Sequence, residues 1–75
     1  MNKKRKEKLR AIHARIQNAS DDLSSLYDEE SDALANWPEN LQGTDRYAEC
    51  DDACDCISTA ISSLMDASSA LEEIF

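Results

Sequence analysis

The sequence predicts an all-α fold, an antiparallel two-helix hairpin that dimerises into a four-helix bundle. Three observations predict it. Two long series of apolar residues recur at steps of three and four, the helix breakers form one cluster between them, and the arms on either side are nearly equal in length.

The first helix is expected over about 5–36. Leu9, Ile12, Ile16, Ala19, Leu23, Leu26, Ala33 and Trp37 alternate three and four apart, with Glu30 as the one charged residue on the seam. The turn is expected over 37–43, because Pro38 and Gly43 are the sole proline and glycine. A proline disfavours helical geometry at the residue before it, so the first helix should end near Asn36. The second helix is expected over about 44–74, with Thr44 as its N-cap and Asp45 in the first turn, where a negative charge suits the macrodipole. Its seam runs Tyr47, Cys50, Cys54, Ile57, Ile61, Leu64, Ser68, Leu71 and Phe75. A flanking row of Ala53, Ala60, Ala67 and Ile74 makes this stripe wider than one facing helix requires, which is the reason to expect a homodimer. The whole chain, 1–75, reads as one domain.

Folding the chain about residue 40 pairs Leu9 with Leu71, Ile16 with Leu64, Leu23 with Ile57, Leu26 with Cys54 and Glu30 with Cys50. Lys3 to Lys6 then lie near Glu72, Glu73 and the terminal carboxylate, whose charges would relieve the cost of cations at a helix N-terminus.

The formal net charge of −8 is unevenly placed. Residues 1–15 hold Lys3, Lys4, Arg5, Lys6, Lys8, Arg10 and Arg15 against Glu7, whereas residues 16–75 hold fifteen acids against Arg46 alone. No apolar run approaches the ~20 residues of a membrane span. The basic start leads into helical periodicity and not into a signal-peptide core. A cytoplasmic, soluble protein is therefore expected. Three cysteines, an odd number within one helix, fit that compartment better than a disulfide framework.

Few constellations bear chemistry. Cys50 and Cys54, four apart, have the spacing of a chelating pair, but Cys56 points elsewhere and His13 lies roughly 20 Å along the bundle by helical rise. Buried thiols filling small seam positions are expected, with no metal and no cofactor. His13 is expected on the surface beside the seam, with no serine, cysteine or carboxylate arranged around it as a triad. Glu30 has three readings: a hydrogen bond to the Tyr47 hydroxyl, a polar group that fixes register, or a side chain leaning to solvent. No phosphate loop or zinc-finger spacing occurs, no EF-hand loop appears, and no catalytic residue is expected. Lys3-Lys4-Arg5-Lys6 is the only candidate for nucleic acid, and the acidic remainder would repel a polyanion.

The acids are the more informative feature. Asp28, Glu29, Asp32, Glu39, Asp45, Glu49, Asp51, Asp52 and Asp55 all belong to the turn half of the hairpin. They read either as solvated surface or as a rigid negative surface that docks onto a basic partner.

Trp37-Pro38-Glu39-Asn40-Leu41-Gln42-Gly43-Thr44-Asp45-Arg46-Tyr47, followed by Asp51-Asp52-Ala53 and a heptad series, resembles a group of small acidic helical-hairpin proteins of bacteriophages and prophages. No established activity attaches to that group, so the resemblance implies a source and an architecture. The three cysteines and the serines at 58, 62, 63, 68 and 69 depart from its pattern. Within the turn, Trp37 and Leu41 are expected to cap the bundle end, with Arg46 reaching back to Glu39 or to the last carbonyls of the first helix. The alternative makes Trp37, Arg46 and Tyr47 an interface anchor. The function expected is that of a phage-type accessory protein that binds and inhibits or modulates a host protein, such as a defence nuclease or other nucleic-acid-binding complex. The partner-binding residues would be the nine acids with Trp37 and Arg46. The rival is a self-assembling bundle of scaffold type with no heterologous partner.

Overall fold

A computed structural model describes residues 1–75 as a helical hairpin without strands: α1 (Lys3–Ala35), a 3-10 turn (Glu39–Leu41) and α2 (Asp45–Glu72). The helices pack side by side into a rod of 59 × 14 × 13 Å. Its radius of gyration, 17.2 Å, is well above the ~11 Å of a compact domain of this length.

Each helix is started by a side chain. The Asn2 Oδ1 accepts the Arg5 backbone N–H at 2.8 Å, so α1 begins two residues earlier than its apolar periodicity suggests. The Thr44 Oγ1 accepts from the Tyr47 N–H at 3.4 Å and donates to the Leu41 carbonyl at 2.7 Å. Asn36 closes α1 by donating both its backbone N–H and its side-chain amide to the Asp32 carbonyl.

The seam of α2 is as expected, with Cys54 and Ser68 buried and Tyr47, Cys50, Ile57, Ile61, Leu64 and Leu71 half-buried; Phe75 lies exposed beyond the helix end. The seam of α1 differs from expectation at every second position. The half-buried residues are Leu9, His13, Ile16, Ser20, Leu23, Tyr27, Glu30, Leu34 and Trp37, with Lys6 and Ser31 half-buried beside this series. Ile12 and Leu26 stay 45% and 44% exposed, and Ala19 and Ala33 are exposed as well. The helix is thus rotated by part of a turn from the orientation that hydropathy favours. Two features account for this. Tyr27 and Leu34 are larger than the Leu26 and Ala33 they displace, and His13 supplies a partner for the Ser68 hydroxyl, which would otherwise be buried unpaired. The opposition also shifts: His13 faces Ser68 and Glu72, while Glu30 is close enough to perturb Cys54 and does not hydrogen-bond Tyr47.

Only two residues of 75 are buried. The accessible surface is 5676 Å², about 1,000 Å² more than the ~4,600 Å² expected for a folded monomer of this mass. No helix is long and apolar enough to cross a membrane.

Candidate functional site

The closed end is built around one carbonyl. Leu41 O accepts the Trp37 indole N–H at 3.2 Å, the Thr44 hydroxyl at 2.7 Å and the Thr44 backbone N–H at 3.2 Å. The Gln42 side-chain amide donates to Trp37 O at 3.3 Å, and the Trp37 and Tyr47 rings meet edge to face with centroids 6.1 Å apart. Trp37 therefore spends its indole N–H and an aromatic contact inside the turn, which fits the capping role. Leu41 caps through its carbonyl, and its side chain is 42% exposed. Arg46 is exposed and pairs with neither Glu39 nor the α1 carbonyls, contrary to expectation. Its neighbours on α2 leave it free in solvent. Gly43 has no positive φ, and a Cβ there would meet nothing within 4 Å, so its place owes nothing to left-handed geometry.

Around this turn lie the nine acids. Asp28, Glu29 and Asp32 occupy the last turns of α1, Glu39 the 3-10 turn, and Asp45, Glu49, Asp51, Asp52 and Asp55 the first turns of α2; all are exposed. None forms an ion pair, since no lysine or arginine of the protein lies within 4.0 Å of a carboxylate, and the one histidine that does, His13, meets Glu72. At the other end of the rod Lys3, Lys4 and Arg5 are exposed, Lys6 is half-buried, and none of them pairs with Glu72, Glu73 or the terminal carboxylate. The expected relief of the α1 dipole by those acids is absent, because the rotation of α1 hands Glu72 to His13.

That latch at the open end was not legible in the apolar spacing. The His13 Nε2 lies 2.8 Å from the Ser68 Oγ and 3.1 Å from the Glu72 Oε1, with the His13 side chain only 13% exposed. Phe75 meets the imidazole edge to face at 5.2 Å, and the Arg10 guanidinium lies over the Phe75 ring at 5.6 Å. The expectation of His13 on the surface beside the seam is thus corrected. Serine and carboxylate converge on the same ring nitrogen, whereas a nucleophilic relay needs them on opposite nitrogens. The signal available in the sequence was the polar Ser68 within the α2 seam, which required a polar residue across from it.

Cys50 and Cys54 both face α1, while Cys56 is exposed. Burial, followed by the nearby charges of Glu30, Asp51, Cys50 and Asp55, pushes the Cys54 thiol pKa up and keeps it neutral. No three His, Cys, Asp or Glu side chains come together as a metal set.

The fold and this distribution of charge define a class: a slender two-helix rod with a dense acidic closed end, a cationic open end and almost no core. No family model matches the chain, and neither a curated protein nor a solved structure matches it.

Proposed function

We propose that this chain is a non-enzymatic, phage-type accessory protein that acts in the host cytoplasm by docking its acidic closed end onto a basic surface of a host protein. One observation carries the reading: nine exposed carboxylates, none of them neutralised by a cation of the same chain, sit on and around an internally bonded turn, on the adjoining ends of both helices, in one half of a 59 Å rod. An unpaired cluster of one sign focuses potential and steers encounter with the opposite sign. Surfaces of that kind occur on nucleases and other nucleic-acid-binding complexes, whose grooves must accept phosphates. The rod would occupy such a groove and block it. Asp45, Glu49, Asp51, Asp52 and Asp55 form the α2 part of this surface, and Arg46 and the half-buried Trp37 are the anchors at its tip. The basic residues Lys3, Lys4, Arg5 and Lys6 lie at the far end and take no part in this docking.

The experiment is affinity capture from host lysate with the wild-type chain and with D51K/D52K/D55K. Capture should fall at least tenfold in the variant and weaken with added salt. A partner held equally well by both chains refutes the proposal.

A further inference from the structure

Rotation of α1 leaves a continuous apolar strip along one flank of the hairpin. On α1 it comprises Ile12, Ala19, Leu26 and Ala33, each one residue before a seam position; Ala53, Ala60 and Ala67 of α2 are placed in the same way, and Ile74 extends the row just past the helix end. Ile12, Leu26 and Ile74 are 45%, 44% and 42% exposed. On this flank Ile12, Arg15, Ile16 and Ala19 of α1 line one shallow groove with Leu64 of the α2 seam. The opposite flank is polar, with Gln17, Ser24, Ser69 and Glu72 around a lone Met65.

We infer that this strip is covered by a second copy of the chain, lying antiparallel to the first. The charges bordering the strip select the orientation. Lys8, Arg15, Asp22 and Glu29 follow one another at seven-residue steps along its outer edge on α1, so that the sign reverses halfway. A twofold axis across the rod at Ala19 sets Arg15 within one residue of Asp22 of the second copy and Lys8 within one residue of Glu29, each pair occurring twice. The same axis brings Ile12 onto Leu26 of the second copy and Ala19 onto Ala19. The α2 row requires an axis independently: Ala60 meets Ala67 and Ala53 meets Ile74 only if it passes between Ser63 and Leu64. The contact of His13 with Ser68 places residue 19 of α1 opposite residue 62, and that with Glu72 opposite 66. The two axes therefore agree to within about two residues, roughly 3 Å of helical rise. A parallel pair would instead align the two acidic closed ends.

Area supports the same occupant. The surplus of about 1,000 Å² over a compact monomer is close to the ~800 Å² that each partner contributes to a standard interface. The alanines allow the helices to approach to about 8 Å between axes. Asp28, Asp32, Asp51, Asp52 and Asp55 lie off this border, so the dimer carries one acidic surface at each end. The inference does not depend on what those surfaces dock onto.

The test is oxidative crosslinking of two variants of the full chain, both lacking the exposed thiol. A19C/C56S should form a disulfide-linked dimer, because the axis brings the two Cα atoms of residue 19 within the ~7 Å that a disulfide spans. S24C/C56S, on the polar flank, should stay unlinked. In sedimentation, R15D should raise the dimer dissociation constant roughly tenfold and R15D/D22R should restore it. Residues 15, 19, 22 and 24 are all exposed in the hairpin, and unchanged helical circular dichroism verifies its integrity. A chain that sediments as a monomer at all concentrations, linking through residue 24 but not 19, or failure of the double reversal to restore association would each overturn the inference.

Discussion

The His13–Ser68–Glu72 latch makes the most discriminating stability prediction, because its partners differ in what they leave behind when removed. Ser68→Ala deletes a bond of 2.8 Å but leaves His13 with Glu72 at 3.1 Å. Its cost is that of one ordinary hydrogen bond, about 1 kcal/mol. His13→Ala strips the only cross-helix partner from a hydroxyl on a residue 9% exposed. That penalty is about 1–3 kcal/mol for an unpaired buried group, reduced where the serine turns back to a carbonyl of its own helix. The edge-to-face contact with Phe75 contributes roughly another 0.5–1.5 kcal/mol. The variant should therefore lose about 2–3 kcal/mol in all. The double variant has no stranded hydroxyl, so it should be more stable than the sum of the singles implies, by about 1 kcal/mol. Urea unfolding followed by helical circular dichroism measures the cycle, at one protein concentration so that self-association does not enter the comparison. Additivity within ~0.3 kcal/mol, or a Ser68→Ala protein as stable as wild type, refutes the reasoning.

Thr44→Ala should cost about 1 kcal/mol, the usual value of an N-cap, and Thr44→Ser should restore most of it in thermal melts. The loss would reach the turn as well as α2, since the same hydroxyl donates to Leu41 O. Cys54 should be the slowest of the three thiols to alkylate and Cys56 the fastest by roughly an order of magnitude, as mass spectrometry would show. The raised Cys54 pKa also fixes a pH dependence. The folded state favours the neutral thiol, so this contribution is fully present below the ordinary thiol value of 9.0 and is lost as the pH rises through the higher folded value. Melts above pH 9 should fall more steeply for the wild type than for Cys54→Ala.

The hairpin, its turn and the α2 seam were legible in the sequence because each rests on a local rule. Pro38 excludes helix at Trp37, Thr44 supplies a cap, and the apolar residues of α2 form one dominant stripe. The orientation of α1 was not legible for a physical reason. Leu9, Ile16, Leu23, Glu30 and Trp37 belong to two stripes at once, completed either by Ile12, Ala19, Leu26 and Ala33 or by His13, Ser20, Tyr27 and Leu34. Hydropathy favours the first set, whereas side-chain volume and the pairing of Ser68 favour the second. A polar residue within an otherwise apolar seam is thus better treated as a demand for a partner than as a defect. At the acidic end, the sequence located every carboxylate correctly along the chain. It did not foresee that Arg46 would leave them unneutralised, since a long, flexible side chain is not positioned by periodicity.

The hydrogen bonds of the closed end join residues no more than five apart, whereas the bonds of the open-end latch join residues 55 and 59 apart. Loops of about ten residues close in roughly 10–100 ns, and closure grows costlier with length. Once the bend at 37–47 has formed, each layer of the seam closes only a small additional loop beyond the last. Folding should therefore proceed as a zipper from the closed end, with His13 meeting Ser68 last. The sole tryptophan sits where the zipper starts, so its fluorescence times the first event and helical dichroism the remainder.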